Sequence, residues 1–301
     1  MEVYRDVDKI PHGDAGRDIA SGCLILEGGA WRGIYTQGAL DAMMQEDINL
    51  QTVIGVSAGA MSALSYLSGQ IGRAPRFNLS HRHDPNYIGI GAMRKDHGIT
   101  GFTCLYTVLE EQEPLNRERF NDPRRKFFAV ATNCRTGQPT YFDRDACDIE
   151  RAVQASATVP YVSQPVMIDG EPYLDGGCSC KIPMDWALEQ GFQKIVVIRT
   201  RDRSYRKDIH RPLPIIRMEY SRKFPLLARR LQEEGATYNI LLDRIDQLEQ
   251  KGRVFVLAPS KPVDIARFEG DMDRLGALYW QGYNDARKAI PAMKKYLGIA
   301  A

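Results

Sequence analysis

The stretch Val53–Leu64, VIGVSAGAMSAL, decides how this chain reads. Thr52–Val56 (TVIGV) is a β-branched apolar run and predicts a buried strand. Ala58–Leu67 is small and apolar nearly all round and predicts a buried helix. Between them Gly55-Val56-Ser57-Ala58-Gly59 spells G-x-S-x-G. A strand that turns into a helix through this pattern pushes the serine hydroxyl out at the strand's C-terminal end, the arrangement of a nucleophile elbow. The flanking glycines remove Cβ clashes from so sharp a turn. The free N–H groups of the helix start favour negative charge at Ser57. Taken alone, the pattern also suits a serine that caps a helix beside packing glycines.

Some 30 residues upstream, Cys23–Glu27 (CLILE) predicts another buried strand. It runs into Glu27-Gly28-Gly29-Ala30-Trp31-Arg32-Gly33 and then a helix with Leu40, Met43 and Met44 on one face. A glycine-rich turn at a helix start gathers backbone N–H groups around an anion. The spacing is not G-x-G-x-x-G, because Ala30 takes the middle position, and no G-K-[ST] follows, so nucleotide binding is disfavoured. An oxyanion hole suits the loop better: the amides of Gly28, Gly29 and Ala30 would face a developing negative charge, and one such donor contributes about 10²–10³ in rate. Arg32 either anchors the loop by a salt bridge or offers positive potential to an anionic lipid head group. A solvated arginine at a helix start is the plainer alternative.

Downstream, PYLDGGCSCKIP places Asp175 before Gly176-Gly177. Asp-Gly is common in turns, and the nearby Asp169-Gly170 reads as a plain hairpin turn. Asp175 stands apart because the same chain carries an elbow and an anion-binding loop. A serine nucleophile needs a base. The five histidines are His12, His81, His83, His97 and His210, and none sits in a triad-like motif. Only His210 follows Asp175, in a basic, proline-flanked segment. A Ser57–Asp175 dyad is therefore more economical than a Ser–His–Asp triad. An aspartate with an ordinary pKa of about 4 is a weak base, but desolvation and a direct hydrogen bond to Ser57 would let it serve.

The blocks GGAWRG (28–33), GVSAG (55–59) and DGG (175–177), in this order, resemble the patatin-like phospholipase family. Ala155–Pro160 (ASATVP) is similar to that family's Ala/Ser-rich helix end before a proline. The resemblance runs from about Ser21 to Ile182, and the tail resembles bacterial members less specifically. It implies a three-layer α/β/α sandwich with a mostly parallel central sheet. It implies hydrolysis of acyl esters of phospholipids and other lipids without metal or cofactor, with Ser57 as nucleophile, Asp175 as base and Gly28, Gly29 and Ala30 as oxyanion donors. Many members have glycine where Ala30 stands; a positive φ there would cost alanine about 1 kcal/mol.

The rest of the chain agrees with an α/β fold. Further strands are expected at Lys126–Ala131, Pro139–Phe142, Lys194–Arg199 and Arg253–Leu257. Tyr238, Leu241, Leu242, Ile245 and Leu248 predict an amphipathic helix. Leu275, Leu278, Tyr279 and Ala286 predict another, and Pro291 is expected to open a last helical turn. The region Asn78–Gly101 reads as loop. One domain is expected over 1–301, with its motifs in 21–182, a basic helical segment at 200–252 and a final strand and helices at 253–301.

At 301 residues, 44% hydrophobic and 26% charged, the composition is that of a globular chain. A net charge of +2 points to no nucleic-acid partner. No run of about 18 apolar residues predicts a membrane span, and the polar start has no signal-peptide core. Six cysteines in this length make no disulfide framework, and Cys178 and Cys180 lack the partners of a metal site. These features suggest the cytoplasm. From Arg199 to Arg230 eleven Lys/Arg face three acids, interleaved with apolar residues. That segment suits peripheral contact with an anionic inner membrane face, RNA phosphates, or a solvated cap. Two other functional readings stand beside the dyad hydrolase: a Ser–His–Asp carboxylesterase using His210, and a non-catalytic lipid-binding module on the same fold.

Overall fold

Alternate residues of one strand feed two separate cores. Leu24 and Leu26 belong to a large cluster with helix residues such as Ile34, Leu40, Ala60 and Tyr279. Cys23 and Ile25 belong to another with Val56, Val197, Leu242 and Ile245. This period of two, with both faces apolar, is what a strand covered by helices on each side requires. The computed structural model describes residues 2–209 and 220–300. In them the central sheet runs in the order β10-β9-β2-β3-β5-β8-β7, with β6 also paired to β5. The strands are β2 (Ala20–Leu26), β3 (Leu50–Val56), β5 (Lys126–Asn133), β6 (Pro139–Asp143), β7 (Val166–Ile168), β8 (Glu171–Asp175), β9 (Ile195–Ile198) and β10 (Phe255–Leu257). Two further strands, β1 (Gly13–Asp14) and β4 (Gln70–Ile71), form a small separate ladder. β10, β9, β2, β3 and β5 pair in parallel; β6, β8 and β7 join antiparallel. The result is a three-layer α/β/α sandwich with a mixed sheet whose larger part is parallel.

On one face lie α1 (Gly33–Gln45), α2 (Ala58–Leu67) and the C-terminal helix Met272–Leu297. The helix Pro225–Gln250 covers the other through Tyr238, Leu242 and Ile245. The C-terminal helix lies against α1 at two glycine contacts. A Cβ on Gly38 would overlap the Tyr279 carbonyl, and one on Gly282 would overlap the Tyr35 carbonyl. This reciprocal approach brings the two backbones closer than any larger residue allows.

Two expectations are corrected here. Asn78–Gly101 is not loop throughout: α3 spans Arg73–His81 and α4 spans Ile90–Lys95. α3 buries Pro75, Phe77 and Leu79. Arg73 pairs with Glu110 at 2.6 Å, and Arg76 forks onto Glu113 at 2.6 Å. These distant partners outweigh the weak helix propensity of Asn, Ser and His. Pro291 opens no new turn; the helix runs through it. Pro291 is exposed while Ile290, Met293 and Leu297 are buried. The carbonyl it leaves unbonded can meet water, and the buried flank holds the helix on both sides.

The Asp169-Gly170 turn joins β7 to β8, as expected, with φ 50° and 79° at the two positions. Within the basic segment, Arg199, Arg203, Arg206, Lys207 and Arg229 pair with Asp246, Glu249, Asp243, Glu234 and Glu233. All these acids lie on the helix Pro225–Gln250, so tertiary pairing offsets much of the local charge excess. No described helix is long and apolar enough to cross a membrane.

Candidate active site

Three chain reversals meet at one end of the sheet. β3 ends at Val56, paired with Val130 of β5. The next β5 residue, Ala131, pairs with Asp175 of the antiparallel β8. Ala131 and Thr132 also pair with β6, so β8 takes the edge of β5 that β3 vacates. β3 and β8 therefore run head-on along one edge of β5, and Ser57 and Asp175 are the residues at which they meet. Ser57 Oγ donates to Asp175 Oδ2 at 2.6 Å. Asp175 Oδ1 accepts from the Gly177 N–H at 2.7 Å.

Ser57 carries the turn itself, at φ 54°, ψ −124°. That conformation is strained for a residue with a Cβ. The elbow glycines relieve crowding instead: a Cβ on Gly55 would come within 2.5 Å of Ala60 Cα, and one on Gly59 would overlap the Leu26 carbonyl. The strain is held from behind by Ser156. Its Oγ accepts from the Ser57 N–H at 2.8 Å and donates to the Val130 carbonyl at 2.6 Å. Two residues on, the Thr158 carbonyl accepts from the Asp175 N–H at 2.9 Å. The segment ASATVP thus fixes both members of the pair. Its positioning role was not legible in sequence, although two polar residues in an otherwise buried helix end are a usable signal.

Burial raises the Asp175 pKa above the ordinary carboxylate value; the Ser57 and Gly177 hydrogen bonds, Lys181 and Arg267 offset it in part. The raised value strengthens the carboxylate's pull on the one proton it faces.

The glycine loop lies across Ser57. A Cβ on Gly28 would stand 3.0 Å from that of Ser57, and one on Gly29 would press on Thr200 Oγ1 at 2.6 Å. The buried Glu27 anchors the loop's base, accepting from the Thr200 N–H at 2.6 Å and from the Tyr238 hydroxyl. Neither Glu27, Thr200 nor Tyr238 was singled out from sequence for this role. The N–H groups of Gly28, Gly29 and Ala30 have no acceptor among the described residues. Ala30 has φ 50°, the left-handed conformation that costs alanine about 1 kcal/mol.

Ser57, Asp175, Gly28, Gly29, Ala30 and Arg32 all line one cavity of about 340 Å³. Arg32 makes no salt bridge among the described residues; its one partner is the Ile265 carbonyl, at a long 3.5 Å, and Nε is buried without any. Burial, then the nearby Arg201, lowers its pKa to about 10. Lys181 and Lys207 on the same wall share Glu234. Burial alone would raise Glu234, yet the two ammonium groups carry its pKa below the ordinary value. No described histidine lines the cavity, and His210 lies outside the described residues. Cys178, on the cavity wall, and its neighbour Cys180 are free thiols. No cluster of metal-binding side chains occurs among the described residues.

A strained serine thus stands hydrogen-bonded to a carboxylate beside amides without an acceptor among the described residues. The model of the patatin-like phospholipase family matches residues 24–188, more than half of the chain, and a domain-of-unknown-function model (DUF6363) matches 224–298. The chain is 27% identical over 248 residues to the uncharacterized protein YjjU of Escherichia coli, covering 80% of this chain and 69% of that one. It is 26% identical over 213 residues to the probable lipid hydrolase 463L of Invertebrate iridescent virus 6, covering 62% and 72%. Among solved structures it is similar to VipD of Legionella pneumophila, at 12% identity and a TM-score of 0.48, covering 97% of this chain and 71% of that one. The chain belongs to the patatin-like phospholipase family. By class it is a lipid acyl hydrolase.

Proposed function

We propose that the chain cleaves lipid acyl esters through a Ser57–Asp175 dyad, with the amides of Gly28, Gly29 and Ala30 as oxyanion hole. The observation that carries this reading is the 2.6 Å hydrogen bond from a strained Ser57 to Asp175, facing a cavity bordered by unengaged amides. Asp175 takes the Ser57 proton as Oγ attacks the ester carbonyl carbon. The oxyanion that forms accepts hydrogen bonds from the glycine loop, where fixed donors in a dry site are most effective. Collapse breaks the ester C–O bond, and the leaving alcohol oxygen takes the proton back from Asp175. Water then repeats the sequence on the acyl-enzyme, giving up its proton to Asp175 and releasing the fatty acid and free Ser57. The Ser57 N–H, held by Ser156, takes no part in the oxyanion hole.

Arg32, with no acidic partner beside the loop, supplies positive potential for an anionic head group. Ala30 lines the cavity with its N–H unengaged among the described residues despite its strained angle, which favours a working site over a lipid-binding relic.

Purified Ser57→Ala and Asp175→Asn proteins that keep the wild-type circular dichroism are expected to lose hydrolysis of p-nitrophenyl esters. His210→Ala is expected to keep it. Loss of turnover in His210→Ala with retention in Asp175→Asn overturns the dyad in favour of a triad. A fluorophosphonate probe is expected to label Ser57; a silent probe together with lipid binding favours the non-catalytic reading.

A further inference from the structure

Ala30, Ser57 and Val159 form a partition between two chambers. The cavity already described has Arg32, Lys181, Lys207 and Arg267 on its wall together with Asp175, Asp208 and Glu234. On the other side of Ser57 lies a second cavity of about 80 Å³, lined chiefly by apolar groups that include Trp31, Ile34, Met61, Ile88 and Phe268. Behind it is a third of about 40 Å³, walled mainly by apolar groups such as Leu64, Phe77 and Leu105, with the Arg73–Glu110 pair and Glu150 also on its wall. Gln37, Met61 and Asn78 line both apolar cavities, so they stand at the boundary between them. Ile34 and Gln37 on α1, and Met61 and Leu64 on α2, stand three residues apart, so each helix turns one continuous stripe to the two cavities. A π-helical turn, Leu105–Leu109, contributes to the far wall. Such turns recur at functional sites because they break the regular packing of a helix.

We propose that these two apolar cavities are a single acyl-chain channel that starts at Ser57, and that Met61 at the boundary between them sets the acyl length accepted. The inference rests on the reading of Ser57 as the nucleophile of an ester hydrolase. An ester whose carbonyl sits at Ser57 must send its two ends in different directions. The charged chamber suits the polar end, because a methylene chain there would strip water from charged side chains without replacing it. The apolar chamber suits the acyl chain, whose burial is favourable in proportion to the area removed from water. The outer cavity receives the first methylenes of any chain; the inner one is reached only past Met61. A thioether on an unbranched side chain adapts its shape easily, so the boundary admits a chain without backbone movement. Gln37 narrows the same passage with a polar atom: its Oε1 is buried and has no partner among the described residues. Longer acyl groups therefore depend on Met61 and Gln37 more than short ones do.

Two readouts test this. Turnover of butyrate, octanoate and palmitate p-nitrophenyl esters is measured for wild type, Met61→Phe and Gln37→Met. Met61→Phe is expected to lower the octanoate-to-butyrate ratio of kcat/KM roughly tenfold or more, and Gln37→Met to raise the palmitate-to-butyrate ratio. Separately, octanoate is expected to raise the melting temperature of Ser57→Ala protein, and adding Met61→Phe is expected to abolish that shift. Unchanged length ratios in both variants, or an octanoate shift that survives Met61→Phe, overturn the channel while leaving the hydrolase intact. Absence of all ester turnover, with the octanoate shift still lost in Met61→Phe, removes the hydrolase reading and leaves the channel standing.

Discussion

Two Asp-Gly pairs lie six residues apart on either end of the same strand, and they do opposite things. Asp169-Gly170 precedes β8 and turns the chain, with both residues at positive φ. Asp175-Gly176 follows β8; Asp175 has φ −43° and directs its carboxylate at Ser57. A Cβ on Gly170 would meet nothing within 4 Å, whereas one on Gly176 would overlap the Val130 carbonyl. At the first pair glycine serves the backbone angle. At the second it serves close packing against β5. Identical local chemistry becomes a turn at an exposed edge and a candidate catalytic base in the sheet's interior, and the neighbours make the difference.

The largest expected contrast is in activity. Asp175→Asn is expected to lower ester turnover by about 10²–10⁴, the range of a lost general base, while Asp169→Asn leaves kcat within about twofold because a turn asparagine tolerates the same left-handed angle. Equal losses in the two variants break the distinction. Next comes stability in denaturant titration. Gly176→Ala is expected to cost about 1–3 kcal/mol through overpacking against Val130, and Gly170→Ala about 1 kcal/mol through its φ of 79°.

Asp169 and Ala30 share φ 50°. A short polar side chain accommodates that angle better than a methyl does. Ala30→Gly is therefore expected to stabilise by up to about 1 kcal/mol, with the amide left in place and turnover preserved.

The smallest effect concerns pH. The folded-state pKa of Asp175 is raised, so the stability linked to its protonated form is fully present below about pH 4, the unfolded value, and is lost as pH rises through the raised folded value. Asp175→Asn removes that loss. Thermal melts are expected to show this variant more stable than wild type at neutral pH and similar to it in acid. Wild-type activity is expected to fall as pH drops through the same raised value, since only the ionised carboxylate accepts the Ser57 proton. Asp169→Asn is expected to show neither behaviour.

Much of the fold is visible in local pattern. Short β-branched or apolar runs predicted β2, β3, β5, β6, β9 and β10 to within about three residues at each end. β7 and β8 escaped, because Val166–Ile168 is too short to carry a period and β8 contains Pro172. α3 escaped because its helical state depends on Glu110 and Glu113, some 37 residues away. Of the candidate site, the elbow serine, the loop glycines and the DGG aspartate were legible as motifs. Ser156, Glu27 and Tyr238 were not, since their roles exist only across long sequence separations. The two apolar cavities behind Ser57 were invisible for the same reason: four helical segments must pack before any space lies between them.

The sequence by itself determined the elements of the candidate site: a strand-to-helix turn at Ser57, a glycine loop after β2, an aspartate before two glycines, and the family those blocks resemble. Apolar strand runs, helix periodicity and turn chemistry act over a few residues, so they can be read from one chain. Only the tertiary structure decided that β3 and β8 abut on one edge of β5, that Asp175 stands within hydrogen-bond distance of Ser57, and that Ala30 takes a left-handed backbone angle. Those outcomes depend on register, burial and backbone hydrogen bonds between residues about a hundred positions apart, which no local pattern encodes.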